Sequence, residues 1–368
     1  MSLSLDLSNF KFFNSETDES NAISTSFSLI TNEKLASLVN FKGTEDYKSV
    51  ETRILSEEES LSDLIQKEIP EYSHILVITP DRFLVSPNSK ELGSRKMAVL
   101  PCGSSKLDLQ AIQHFMKIIE QTNIDEQIEF ADTFFEKVER ADQLKIANSQ
   151  YNCEAIFEHH DDAVIWNEQL GYLEWGDQSI IPAGEISATS GSIMDFDETE
   201  RLKLTGEIVV DGISIIHSGS SIFDSANQLR LFSELSEARN HPVIIEFDSG
   251  EISDIKPSSR KGAFVADSYQ ALIDSNHLYK ILTEIGFGIN LQHDVLWDNY
   301  GPNEVFGGSN GIFHFGVGLT PYTQFAPIFL CNGSTIIGAD NDLILGLEKR
   351  KSPRKIQVNR SSSCGCHV

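Results

Sequence analysis

Glu284, Glu304 and His314, side chains with metal-ligating chemistry, stand among glycines between residues 283 and 318, TEIGFGINLQHDVLWDNYGPNEVFGGSNGIFHFGVG. Glu284 precedes Gly286 and Gly288, and Glu304 precedes Gly307 and Gly308. His314 sits inside the alternation Ile312-Phe313-His314-Phe315-Gly316-Val317-Gly318. Carboxylate plus imidazole is a donor set that suits zinc, manganese, cobalt or iron. Glycine lets a backbone take positive φ or come close to another chain. The competing reading of the same letters is a glycine-rich turn region with solvated acids and one core histidine.

Elements must position these groups. In the first half, SHILVITPDRFLVSP (73–87) reads as two strands around a Pro-Asp turn, and KMAVLPCG (96–103) as a third strand. Leu107 to Gln121 carries apolar residues on one helical face, and Thr133 to Ile146 reads as a second helix. Strands alternating with helices predict an α/β amino-terminal domain over 1–165. It has no G-x-G-x-x-G and no P-loop, so no nucleotide is implied. Glu158-His159-His160-Asp161-Asp162 reads as a solvated turn, because adjacent residues point in different directions.

From residue 166 the pattern turns to short apolar runs with Asp-Gly and Ser-Gly turn signals, among them the hairpin VIIEFDSGEISDIK. A helix is predicted over Ser268 to Ile285, then the glycine-rich stretch and two more strands, PIFLCNG and STIIGAD. The fold class is therefore α/β (α+β), with a β-rich domain over 166–348 and a disordered basic tail over 349–368.

The net charge of −26 argues against nucleic acid and anionic membrane as partners, since both need a cationic footprint. Lys349, Arg350, Lys351, Arg354, Lys355 and Arg360 all follow Glu348 and no acid does, so a basic tail hangs on an acidic body. Cys102, Cys153 and Cys331 have apolar neighbours and read as reduced packing residues. The first residues lack a cationic start and an apolar core, and no apolar run approaches 18 residues. A cytoplasmic location is the default expectation.

The order of motifs, IPAGEI, GEIVVDG, VIIEFDSGEI, EIGFGIN and NEVFGGSNGIFHFGVG, resembles the carboxy-terminal domain of the aminopeptidase T and S family of metallopeptidases. The related iron-dependent dihydroxypyridine dioxygenases share the layout. The resemblance covers about 165–345 and implies that Glu185, Glu284, Glu304 and His314 are metal-ligand or catalytic positions, with Glu185 the catalytic residue if the chain is active. It also implies a His-x-Asp pair after the last motif. Thr320 to Leu330 contains neither residue type, so the resemblance implies an incomplete two-metal site that holds one divalent metal (zinc, manganese, cobalt or iron) or none.

Degenerate members of this family are peptide-binding proteins of ribosomal peptide natural-product pathways, the crocagin pathway among them. The resemblance thus implies a peptide-binding or carrier protein rather than an active peptidase, with Tyr322 and Gln324 as peptide contacts. The alternative is a divergent metal-dependent aminopeptidase or a mononuclear-iron dioxygenase. The end of the chain offers Ser361, Ser362, Ser363, Cys364 and Cys366 as modifiable residues. Expected partners are a peptide, which the chain's own tail could supply, and a tail-modifying enzyme. A homodimer is left open.

Overall fold

The computed structural model describes residues 2–14, 25–100, 105–191, 196–292, 295–305 and 311–346, without the Glu304 side chain. The fold is α+β, as the sequence predicts. A five-stranded parallel sheet forms the first body, in the order Gln178–Ile180, Lys96–Val99, Ser73–Ile78, Ser26–Thr31, Ser49–Ile54. Its two faces follow from strand alternation. Phe27, Leu29, Leu76 and Ile78 meet Ile112, Phe115 and Met116 of the helix Leu109–Gln121 on one side. Ile30, Ile75 and Val77 meet Leu61, Leu64 and Ile65 of the helix Leu61–Glu68 on the other.

The second body is a sandwich. Its ligand-bearing sheet comprises β1 (Val164–Gln169), β2 (Glu185–Ser190), β3 (Gly212–His217), β4 (Leu282–Gly288), β5 (Ile312–Val317) and β6 (Phe325–Cys331). The order is β3-β6-β5-β4-β2-β1, antiparallel throughout. A seven-stranded sheet packs on its inner face, and the core between them holds Ile186, Ile285, Phe287, Phe313, Phe315 and Phe329 from one sheet and Phe157, Ile208, Ile245 and Phe247 from the other. Phe247 and Phe315 meet edge to face at 5.2 Å. Leu144–Asn148 and Cys153–Phe157 pair into this sandwich from before residue 165, and Gln178–Ile180 joins the parallel sheet from after it. His217, at the end of β3, is stacked between Phe83 of the first body and Phe223 of the second, at 4.1 and 3.9 Å.

Several local expectations are corrected. Residues 83–87 form no strand: Arg82 donates to the carbonyls of Ser56 (2.7 Å) and Glu59 (2.6 Å), tying the chain down just after the turn. The helix placed at Thr133 to Ile146 is Ile124–Glu139, started by an Asn123 cap, and Leu144–Asn148 is a strand. His159 donates to the carbonyl of Val138 in the helix's last turn (3.0 Å), and His160 to that of Ala141 just past its end (2.9 Å). Glu158–Asp162 is therefore not a wholly solvated turn, because His159 is buried. The helix expected to reach Ile285 is Ala263–Ser275 and stops at Asn276, whose side chain accepts from Leu278 N–H at 3.0 Å. That early stop puts Glu284 on a strand. Ser249 and Gly250, both at positive φ, turn the predicted hairpin between Val243–Asp248 and Glu251–Pro257. Among the described residues no helix is long and apolar enough to cross a membrane. Cys153 and Cys331 are buried free thiols, and Cys102 lies outside the described residues.

Candidate metal centre

Alternation that sends Ile285, Phe287, Phe313 and Phe315 inward sends their neighbours to the outer face. On β4 and β5 the cross-strand partners are Glu284 with Gly316 and Gly286 with His314. Each candidate ligand thus lies beside a glycine of the adjacent strand. On the other side of β4, Glu185 pairs with Gly288 and Ser187 with Gly286. Of these glycines Gly286 has no room for a side chain, and Gly316 is tight. A Cβ on Gly286 would stand 1.9 Å from His314 Nε2, and one on Gly316 would stand 3.1 Å from Glu284 Oε2.

These strands bring Glu185, Glu284 and His314 together, with one ligand atom from each within 4.8 Å of the others. His314 Nε2 and Glu185 Oε1 are 2.9 Å apart. His314 and Glu185 are buried, and Glu284 keeps some exposure as a residue while its carboxyl is enclosed in the cluster. Burial pushes the Glu284 carboxyl up to about 7, and the neighbouring Glu185 carboxylate pushes the same way. His314 and a hydrogen bond from Ser187 pull against that rise. His314 Nδ1 is buried without a hydrogen-bond partner among the described residues. Two carboxylates and an imidazole share this space, and no lysine or arginine among the described residues pairs with them. An orphaned ring nitrogen and mutually repelling carboxylates are what a bound cation would relieve, so the residues fit a divalent metal.

The structure therefore gathers Glu185, Glu284 and His314 as predicted. Glu304 lies in the turn Gly301–Val305 and its side chain is outside the described residues. Tyr322 and Gln324 are not at the cluster. They line a groove of about 390 Å³ with residues of the helices Ser225–Leu235 and Ala263–Ser275, and Tyr322 is exposed. Ser361, Ser362, Ser363, Cys364 and Cys366 lie outside the described residues. β6 turns Ile328 and Leu330 to the face of the cluster, opposite Gly316 and His314. With Ile312 they make an apolar patch beside it. Ser187 was missed at the sequence level; its signal was the two-residue spacing from Glu185 along one strand face.

No protein-family model and no curated protein matches the chain. Among solved structures, it is similar to 2,5-dihydroxypyridine dioxygenase from Pseudomonas putida KT2440, with 15% identity and a TM-score of 0.50. The match covers 86% of this chain and 89% of that one. At that identity the likeness is one of fold.

Proposed function

We propose that the chain holds one divalent metal ion on Glu185, Glu284 and His314 and works as a mononuclear centre, of the dioxygenase branch rather than as a two-metal peptidase. The carrying observation is the three-residue cluster flanked by aliphatic side chains on β6. A two-metal hydrolytic site needs ligands for a second ion, and Ile328 and Leu330 offer none. A bound ion would supply Lewis acidity, and iron would add one-electron chemistry. The protein's own part is positional. Before an ion binds, Glu185 holds the His314 ring at 2.9 Å, Ser187 holds the Glu284 carboxyl, and the Ile312–Ile328–Leu330 patch keeps water from one side. The fold shared with a dioxygenase supports this reading.

The test is activity of the full chain after loading with iron(II), zinc, cobalt or manganese. Hydrolysis of aminoacyl reporter substrates should stay at the blank rate with every metal. Dioxygen uptake with a dihydroxylated aromatic such as 2,5-dihydroxypyridine should need iron and be lost in His314→Ala. Robust reporter hydrolysis that His314→Ala abolishes would return the aminopeptidase reading. The groove at Tyr322 and Gln324 favours a second reading, that of peptide binding. It predicts that Tyr322→Ala weakens peptide capture while metal uptake is unchanged.

A further inference from the structure

The segment from Val295 to Asn303 is fixed against the edge of the ligand-bearing sheet. Asn299, buried, accepts from Ile215 N–H at 2.7 Å and donates to the Ile215 carbonyl at 3.0 Å. Asn303 accepts from Leu296 N–H at 2.9 Å and donates to the carbonyls of Leu296 (2.9 Å) and Asp298 (3.1 Å). Trp297 is held between these anchors, with its ring against Gly212, where a Cβ would meet it at 3.2 Å. The Arg239 guanidinium lies over the indole, 4.0 Å from the ring centre. Beside them is a cavity of about 200 Å³, lined also by Asn240, Val295 and Leu330.

Arg239 is the informative side chain. Arg53, Arg95, Arg140, Arg201 and Arg230 contact carboxylates, Arg82 is tied to the carbonyls of Ser56 and Glu59, and Arg260 is exposed to solvent. Arg239 has no carboxylate partner among the described residues. Asp298, on the same cavity wall, is taken by Lys106. Glu237 also lines the cavity and accepts from Asn240 at 3.5 Å. A guanidinium seated over a tryptophan ring can still turn an N–H edge to a carboxylate and grip it with two parallel bonds. The acidic body repels anions, but beyond about 8 Å salt screens that repulsion at physiological ionic strength, so the local arginine decides. Leu330 is the cross-strand partner of His314, so the cavity starts one strand, about 4.8 Å, from the strand that carries the cluster's imidazole.

We propose that this cavity binds the carboxylate of a small aromatic acid, which Arg239 grips while Trp297, Val295 and Leu330 contact the ring. Pockets that enclose a drug-sized ligand start at about 300 Å³, so this one takes a single ring and its acid group rather than a peptide. Only the role of that acid as substrate rests on the mononuclear-centre reading; the binding does not. Benzoate and its uncharged analogue benzamide are titrated into the full chain and followed by ligand-observed NMR. Benzoate should bind with a dissociation constant of order millimolar or tighter. Arg239→Met should weaken benzoate by about tenfold or more, and benzamide should bind wild type at least about tenfold more weakly than benzoate does. Trp297→Leu should weaken both. Equal benzoate binding by Arg239→Met, equal binding of benzamide, or no benzoate binding would overturn the proposal. Intact benzoate binding in a wild-type chain that takes up no metal would sink the metal centre alone.

Discussion

Gly286→Ala will unseat His314 and cost the fold about 2–4 kcal/mol. The new methyl would stand 1.9 Å from Nε2 and 2.3 Å from Cε1 of a ring that is 0% exposed. It cannot be relieved by a small tilt, because β4 and β5 are paired at that position and Phe313 and Phe315 lock the same strand into the core. Overpacking of this kind costs about 1–3 kcal/mol. The 2.9 Å contact to Glu185 goes with the ring, leaving a buried carboxylate unpaired. Gly316→Ala is the control, since its Cβ would meet Glu284 Oε2 and Ile328 Cδ1 at 3.1 Å, atoms at the ends of side chains that can give way. Urea denaturation should rank Gly286→Ala well below Gly316→Ala, with metal uptake lost in the former. Equal stability of Gly286→Ala and wild type would mean that the imidazole does not lie across β4.

Glu284→Gln should stabilise the metal-free protein at pH 8 and leave it nearly unchanged at pH 4.5. Burial first, and Glu185 second, raise Glu284 from its ordinary 4.5 to about 7. Between those values the folded chain keeps a proton that the unfolded chain has released. The stability this group contributes is therefore whole below about pH 4.5 and is lost as pH rises through about 7. The span is on the order of 3 kcal/mol. Glutamine carries no charge, so the variant lacks that slope. Denaturation in the presence of a chelator at the two pH values checks this. A variant that is less stable than wild type at both would show that Glu284 is held ionised without strain. With metal present the order at pH 8 should reverse, because the ion binds the carboxylate that glutamine lacks.

Much of the candidate site was legible because strand periodicity and glycine placement are local. E-x-G in EIGFG and H-x-G in HFGVG are period-two patterns, and antiparallel pairing sets each acid or imidazole against the other strand's glycine. Glu185 was reached by the resemblance of its motif, since 129 residues separate it from His314 and no local rule joins them. Ser187 and the aliphatic face of β6 needed the register itself. The false helix reaching Ile285 shows the limit of periodicity: Leu278, Ile281 and Leu282 keep apolar spacing across a helix end that the Asn276 side chain decides. Tyr322 and Gln324, read as peptide contacts, line a groove apart from the cluster. They precede β6, where the chain turns beside the two helices rather than along the ligand-bearing face.

The most direct test of the central claim is the metal content of the full chain, purified without a histidine tag, loaded and freed of excess ion by gel filtration. The account predicts about one divalent ion per chain, with affinity lowered by about a hundredfold or more in His314→Ala, since losing a ligand costs at least what losing its hydrogen-bonded support does. Negligible uptake of iron, zinc, manganese and cobalt alike, or uptake that His314→Ala leaves unchanged, would contradict it.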